Sequence, residues 1–208
     1  MTVTRGDRRR TALLAALDEH LRDAGPGARL EDINVADLSR RAGVTRSAFY
    51  FYFDNKAAAV AALMDEMYDE AWGAADLLGG DGSMRDRTAA AIRRVFEGWG
   101  QRPHVYRAML EARATSPAAR ERWDAHIASF VEVVAAVIDA ERVARQETGG
   151  PPALAIATAL LDVNDRTLER LVRAPDRADD GTEDGFDWET HVDAVVHLWL
   201  STIYGSTR

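Results

Sequence analysis

The chain of 208 residues has no cysteine. Disulfides and thiolate metal centres are excluded, and a reducing compartment fits. No apolar run approaches the ~20 residues that a membrane-spanning helix needs. The opening MTVTRGDRRRTALLAALDEH is basic, but it lacks the apolar stretch and small-residue cleavage site of a signal peptide. A cytoplasmic location without a membrane partner is therefore expected. Strand-like alternation and internal repeats are missing. So are G-x-S-x-G, a phosphate-cradling glycine loop and H-E-x-x-H. Carboxylates are scattered over polar faces, His20, His104 and His126 are isolated in sequence, and His191 and His197 with Asp193 make a poor metal set. Nothing here calls for catalysis, a metal or a cofactor. Lysine is nearly absent too: Lys56 stands against twenty-five arginines among 26 basic residues.

Hydrophobic residues make up 47% of the chain, enough for a packed core, and the net charge is -8. That charge is unevenly spread. Residues 1–60 carry ten Lys/Arg and eight Asp/Glu, a balance of +2, which leaves -10 for the remainder. A nucleic-acid surface needs only a locally positive field, so the overall sign does not exclude one.

Helical periodicity dominates. A first helix is expected from about Asp7 to Ala24, with Leu13, Leu17 and Leu21 on one face and Gly25-Pro26-Gly27 as its stop. Asn34 is a good N-cap for a second helix that buries Leu38 and Ala42 and ends at Gly43. Thr45 caps a short third helix. Asn55 caps a long fourth one from Lys56 to about Leu78, ended by Gly79-Gly80-Asp81-Gly82. Further helices are expected at Met84–Trp99, His104–Ala114, Pro117–Glu147, Pro151–Val172 and Trp188–Tyr204, with Pro117 and Pro151 in first turns. Ala174–Gly185 reads as an acidic loop. The expected fold is all-α, about nine helices. A three-helix head, residues 1–55, is joined by the long fourth helix to a larger body, residues 56–208.

Two short helices joined at a glycine are the form of a helix-turn-helix, a device for reading the DNA major groove. The same turn occurs in many helical proteins, but the aromatics of Phe49–Phe53 are hard to explain by packing alone. On the third helix, Arg46 and Tyr50 share a face with Ser47 next to it, while Phe49 and Phe53 face the other way toward Leu13, Leu17 and Leu38. Arg46 is the candidate base reader, since its fork matches guanine O6/N7. Thr45 and Ser47 suit base edges or phosphates. Tyr50, Tyr52 and Lys56 suit phosphates, and Lys56 lies beside a helix N-terminus where an anion is welcome. Arg5, Arg8, Arg9 and Arg10 are placed to track the backbone or a minor groove.

The segment GVTRSAFYFYFDNKAAAVAAL, Gly43–Leu63, resembles the TetR family of bacterial transcriptional regulators. The resemblance implies a DNA-binding role for Thr45, Arg46, Ser47, Tyr50, Tyr52 and Lys56, in agreement with the residue-level reading. The segments ARATS (Ala112–Ser116), VIDAER (Val137–Arg142), ATALLDVNDRTL (Ala157–Leu168) and VHLWLSTIYG (Val196–Gly205) extend it, toward one branch of that family, over nearly the whole chain. It implies an all-helical homodimer paired through the last two long helices as a four-helix bundle, with a small-molecule inducer in the body.

Three apolar stripes supply walls for such a pocket: Trp123, Ile127, Phe130, Val134 and Val137; Leu160, Asn164, Leu168 and Leu171; and Val192, Val196, Trp199 and Ile203. Phe96 and Trp99 join them from an earlier helix. Apolar walls with one placed amide suit a small-molecule site, although aromatics at helical spacing are more often plain core. The resemblance adds that Trp123, Phe130, Asn164, Leu168 and Trp199 coincide with pocket positions. Glu169, Leu161 and Val133 depart from that branch, which has an aromatic, a second Asn and a Tyr there. The expectation is a dimeric repressor on double-stranded, pseudo-palindromic operator DNA, released by a small apolar ligand. A ligand-binding sensor without operator-specific DNA binding and an all-helical enzyme are the alternatives.

Overall fold

A computed structural model describes residues 5–75, 81–147, 149–173 and 187–205. Among these residues there is no strand, and nine α-helices follow one another: α1 (Arg5–Ala24), α2 (Val35–Arg41), α3 (Arg46–Tyr52), α4 (Lys56–Ala75), α5 (Met84–Gln101), α6 (Pro103–Thr115), α7 (Pro117–Ala144), α8 (Ala153–Arg173) and α9 (Trp188–Tyr204). The expected end of the fourth helix at Leu78, the first two glycines of the stop that follows it, and the acidic loop Ala174–Gly185 lie outside the described residues. No described helix is long and apolar enough to cross a membrane.

The chain divides into two compact units, Met1–Asp69 with Arg102–Trp123, and Glu70–Gln101 with Asp124–Arg208. The first contains the expected head and also α6, most of α4 and the first turns of α7. Its core is laid on α1, where Leu13, Leu14, Leu17 and Leu21 are all buried, as are Leu38 of α2 and Phe49 of α3. Helices α2, α3 and α6 each pack against α1. The stretch Ala59–Met64 of α4 is buried at every position, the mark of a helix enclosed on all sides.

Local chemistry sets the short helices. The Asn34 side chain accepts from the backbone N–H groups of Ala36 and Asp37, and that of Thr45 from Ala48. Between them α2 ends in a Schellman turn: Val44 N–H bonds the Ser39 carbonyl at 2.9 Å and Gly43 N–H that of Arg40 at 3.1 Å, with Gly43 at φ +65°. Gly25-Pro26-Gly27 stops α1 in a 3-10 turn, and a second such turn, Leu30–Asp32, precedes α2.

In the second unit α5 and α8 pack on α9, burying Phe96 and Trp99, Leu160, Asn164 and Leu168, and Val192, Val196, Trp199 and Ile203. Two expectations need correction. Helix α8 begins at Ala153, two residues after Pro151, because the Pro152 carbonyl takes the first bonds, from Ala155 and Ile156; it is Pro103 and Pro117 that open helices. Helix α7 ends at Ala144 rather than Glu147. There Gln146, at φ +56°, takes the left-handed position of a second Schellman turn, with Glu147 N–H on the Arg142 carbonyl and Gln146 N–H on that of Val143.

Nothing stands within 4 Å of where a Gly43 Cβ would sit, so the cost of a side chain there is conformational. Gly43→Ala is expected to lower stability by about 1–2 kcal/mol and Gly43→Asn by less, read as the shift in urea midpoint at constant slope.

Candidate nucleic-acid interface

Helix α3 has a dry side and a wet side. Phe49 and Phe53 are buried against the head, their rings 5.4 Å apart. Thr45, Arg46, Ser47 and Tyr50 are exposed, and Tyr52 is half-buried. The expected DNA residues of α3 thus lie on or beside one accessible surface. The Arg46 guanidinium sits over the Tyr50 ring, 5.8 Å from its centroid, which holds the fork beside that ring at little cost. Arg22, Arg29, Arg40 and Arg41 are each paired with a carboxylate, to Asp18, Glu31, Asp37 and Asp23. Arg46 has no such partner among the described residues, so its donors remain available.

Lys56 has a partner inside the protein. Its Nζ donates to the Glu31 carbonyl at 2.8 Å, tying the start of α4 to the turn before α2. An ammonium has three N–H donors, so two remain. The Asn55 side chain caps α4 by accepting from Ala58 N–H at 2.8 Å. Arg8 and Arg9 are exposed on α1; the side chain of Arg5 lies outside the described residues.

Sequence reading passed over Phe51, which is 80% exposed. The signal was present: two positions beyond a buried residue is about 200° round a helix, so a buried Phe49 turns Phe51 outward.

The ligand-side residues divide between the units. In the first, Trp123 is buried, its ring edge-on to Tyr68 and Tyr106 and its face under the Arg113 guanidinium at 4.3 Å. In the second, Phe96, Trp99, Leu168 and Trp199 are buried, while Ile127 and Phe130 are half-buried, Phe130 stacking on Trp72 at 4.5 Å. The Trp199 indole N–H donates to Asn164 Oδ1 at 2.9 Å. Beyond Trp123 the buried positions of α7 are Val131, Ala135 and Ile138, each one residue after the expected Phe130, Val134 and Val137, because two adjacent apolar stripes share that helix and periodicity does not rank them.

Known proteins speak to both units. A family model for bacterial regulatory proteins of the tetR family matches residues 30–63, and one for the C-terminal domain of the transcriptional regulator EthR matches residues 88–205. The HTH-type transcriptional regulator EthR of Mycobacterium tuberculosis is 35% identical over 206 residues, covering 98% of this chain and 90% of the relative. The chain belongs to the TetR family. EthR of Mycolicibacterium smegmatis is 33% identical over 205 residues, 97% of this chain and 88% of its own. The crystal structure of the regulator FadR from Bacillus subtilis with stearoyl-CoA shares the fold at a TM-score of 0.69 and 14% identity, over 95% of this chain and 99% of that one. TetR-family proteins are DNA-binding transcriptional regulators and not enzymes.

In this TetR-family chain, α6 is tied to the head by a polar cluster that the sequence concealed, and His104 is not isolated. Asp18 of α1 accepts from His104 Nε2 at 2.8 Å and from Arg102 at 3.1 Å through one oxygen, and from Arg22 at 2.6 Å through the other. Glu111 of α6 accepts from the backbone N–H of Leu30 at 2.8 Å. Burial works to raise the Asp18 pKa, but hydrogen bonds from His104 and Arg102 and the Arg102 charge outweigh it and hold the carboxyl below the usual aspartate value. A carboxyl depressed by folding adds stability above its unfolded pKa, near 3.9, and that contribution is lost as pH falls through the folded value. Asp18→Asn is therefore expected to cost about 1–3 kcal/mol at neutral pH and to flatten acid unfolding below about pH 4, seen in urea titrations repeated across pH. An unchanged acid limb would show that the cluster does not couple to folding.

Proposed function

We propose that this TetR-family regulator is a cytoplasmic repressor that binds a pseudo-palindromic operator as a dimer and is released by a small apolar ligand. Residues 1–55 serve as the DNA-binding domain, and residues 56–208 carry ligand binding and dimerisation through α8 and α9. The observation that supports this best is the exposed face of α3, where Arg46 lies beside Thr45, Ser47 and Tyr50 without a carboxylate partner while Phe49 beneath it is buried. Arg46 reads a guanine edge; Thr45 and Ser47 contact base edges or phosphates; Tyr50, Tyr52 and the spare donors of Lys56 hold phosphates.

A mobility-shift titration on DNA upstream of its own gene tests this. Specific binding that weakens as salt rises is expected, because phosphate contacts release counterions. Arg46→Ala should cost about 1–3 kcal/mol and relax choice at one base pair; Tyr50→Phe should weaken binding evenly across sequences. Absent or salt-insensitive binding would leave the ligand-binding sensor as the better reading.

For the ligand we propose a site in the second unit drawing on Phe96, Trp99, Ile127, Phe130, Asn164, Leu168 and Trp199. Asn164 Oδ1 is taken by Trp199, which leaves its amide N–H groups to meet an acceptor on an otherwise apolar molecule. Trp123, expected at the ligand, remains a candidate as a buried residue of the first unit. A thermal-shift screen of apolar molecules should find one that raises the melting temperature. By linkage, that compound weakens operator binding by the same factor by which operator weakens its own. A compound that stabilises the protein yet leaves DNA affinity unchanged would sink the release mechanism.

A further inference from the structure

Phe51 is the most exposed large apolar side chain among the described residues, at 80%. It lies on a capped helix whose neighbouring rings at Phe49 and Phe53 are buried. About 200° round α3 from Phe49, it forms with Ser47, four residues before it, the ridge pointing most directly away from the head. The Tyr52 ring stands edge-on to it at 5.0 Å and braces it in that direction. From Ala42 to Phe53 the only charged residue is Arg46, so nothing on this ridge repels a polyanion.

An apolar ring held forward on a surface that faces a major groove meets one kind of apolar group there. Of the four bases, only thymine presents a methyl on its major-groove edge. We infer that Phe51 is a specificity-determining residue that packs on the C5-methyl of a thymine in each operator half-site, next to the base pair read by Arg46. This rests on the proposed DNA-reading role of α3 and adds to it a base preference that hydrogen bonding does not supply.

The test uses the full chain. A duplex is first selected from random-sequence DNA, and each of its thymines is then replaced in turn by deoxyuridine, which removes only the methyl. At one thymine per half-site the replacement should weaken wild-type binding about fourfold, the worth of one buried methyl. In Phe51→Ala the same replacement should have no effect, and Phe51→Leu should keep part of it. Far-UV circular dichroism and the urea midpoint of both variants should match wild type, since the ring is exposed. If wild type selects a sequence but no replacement loses its effect in Phe51→Ala, the inference is overturned while the DNA-reading role stands. If wild type selects no sequence, both fall.

Discussion

A helix of seven residues cannot hold itself in water: the nucleation cost is hardly repaid before the helix ends. Helix α3 exists because Phe49 and Phe53 are buried on one side of it, with Thr45 closing its first turn. That burial also fixes which way the other side points. Arg46, Ser47, Tyr50 and Phe51 have a definite direction only because Phe49 cannot rotate out of the core that Leu13, Leu17 and Leu38 help to form. The stability of the head and the aim of the exposed face of α3 are therefore one constraint, and the Gly43 turn serves it by carrying the chain from α2 to the Thr45 cap.

The first unit carries a second set of constraints, and these are polar. Helix α6 holds α1 through Asp18 and holds the Leu30–Asp32 turn through Glu111, while Lys56 holds the same turn through the Glu31 carbonyl. The turn just before α2 is thus pinned by side chains from α6 and from α4. Hydrogen bonds of this kind have directions, unlike apolar contacts, so a displacement of α6 relative to α1 breaks some of them rather than stretching all of them.

Much of the fold was legible along the chain because its signals are local. Asn34, Thr45 and Asn55 cap the helices they were expected to cap, and α9 has the expected bounds, Trp188–Tyr204. The stripes of α8 and α9 are buried as their 3.6-residue spacing implies. Errors arose where the signal was not in residue type. At the end of α7 a glutamine takes the left-handed position usually held by glycine, so no stop could be read there. On α7 two apolar stripes lie side by side, and only the neighbours decide which is buried.

By itself the sequence determined an all-helical chain and a short third helix with a buried aromatic side and an exposed polar one, and its motifs resembled a family of DNA-binding regulators to which the chain belongs. The helices and their faces follow from caps and periodicity, which act within a few residues, and the family from the likeness of whole segments. The tertiary structure alone decided three other things: that His104 and Arg102 reach back over some eighty residues to Asp18, that Lys56 spends one donor inside the protein, and that Asn164 answers a tryptophan on α9. Each depends on which side chains from distant positions arrive at the same place, and a charged or amide group does not announce its partner in the residues beside it.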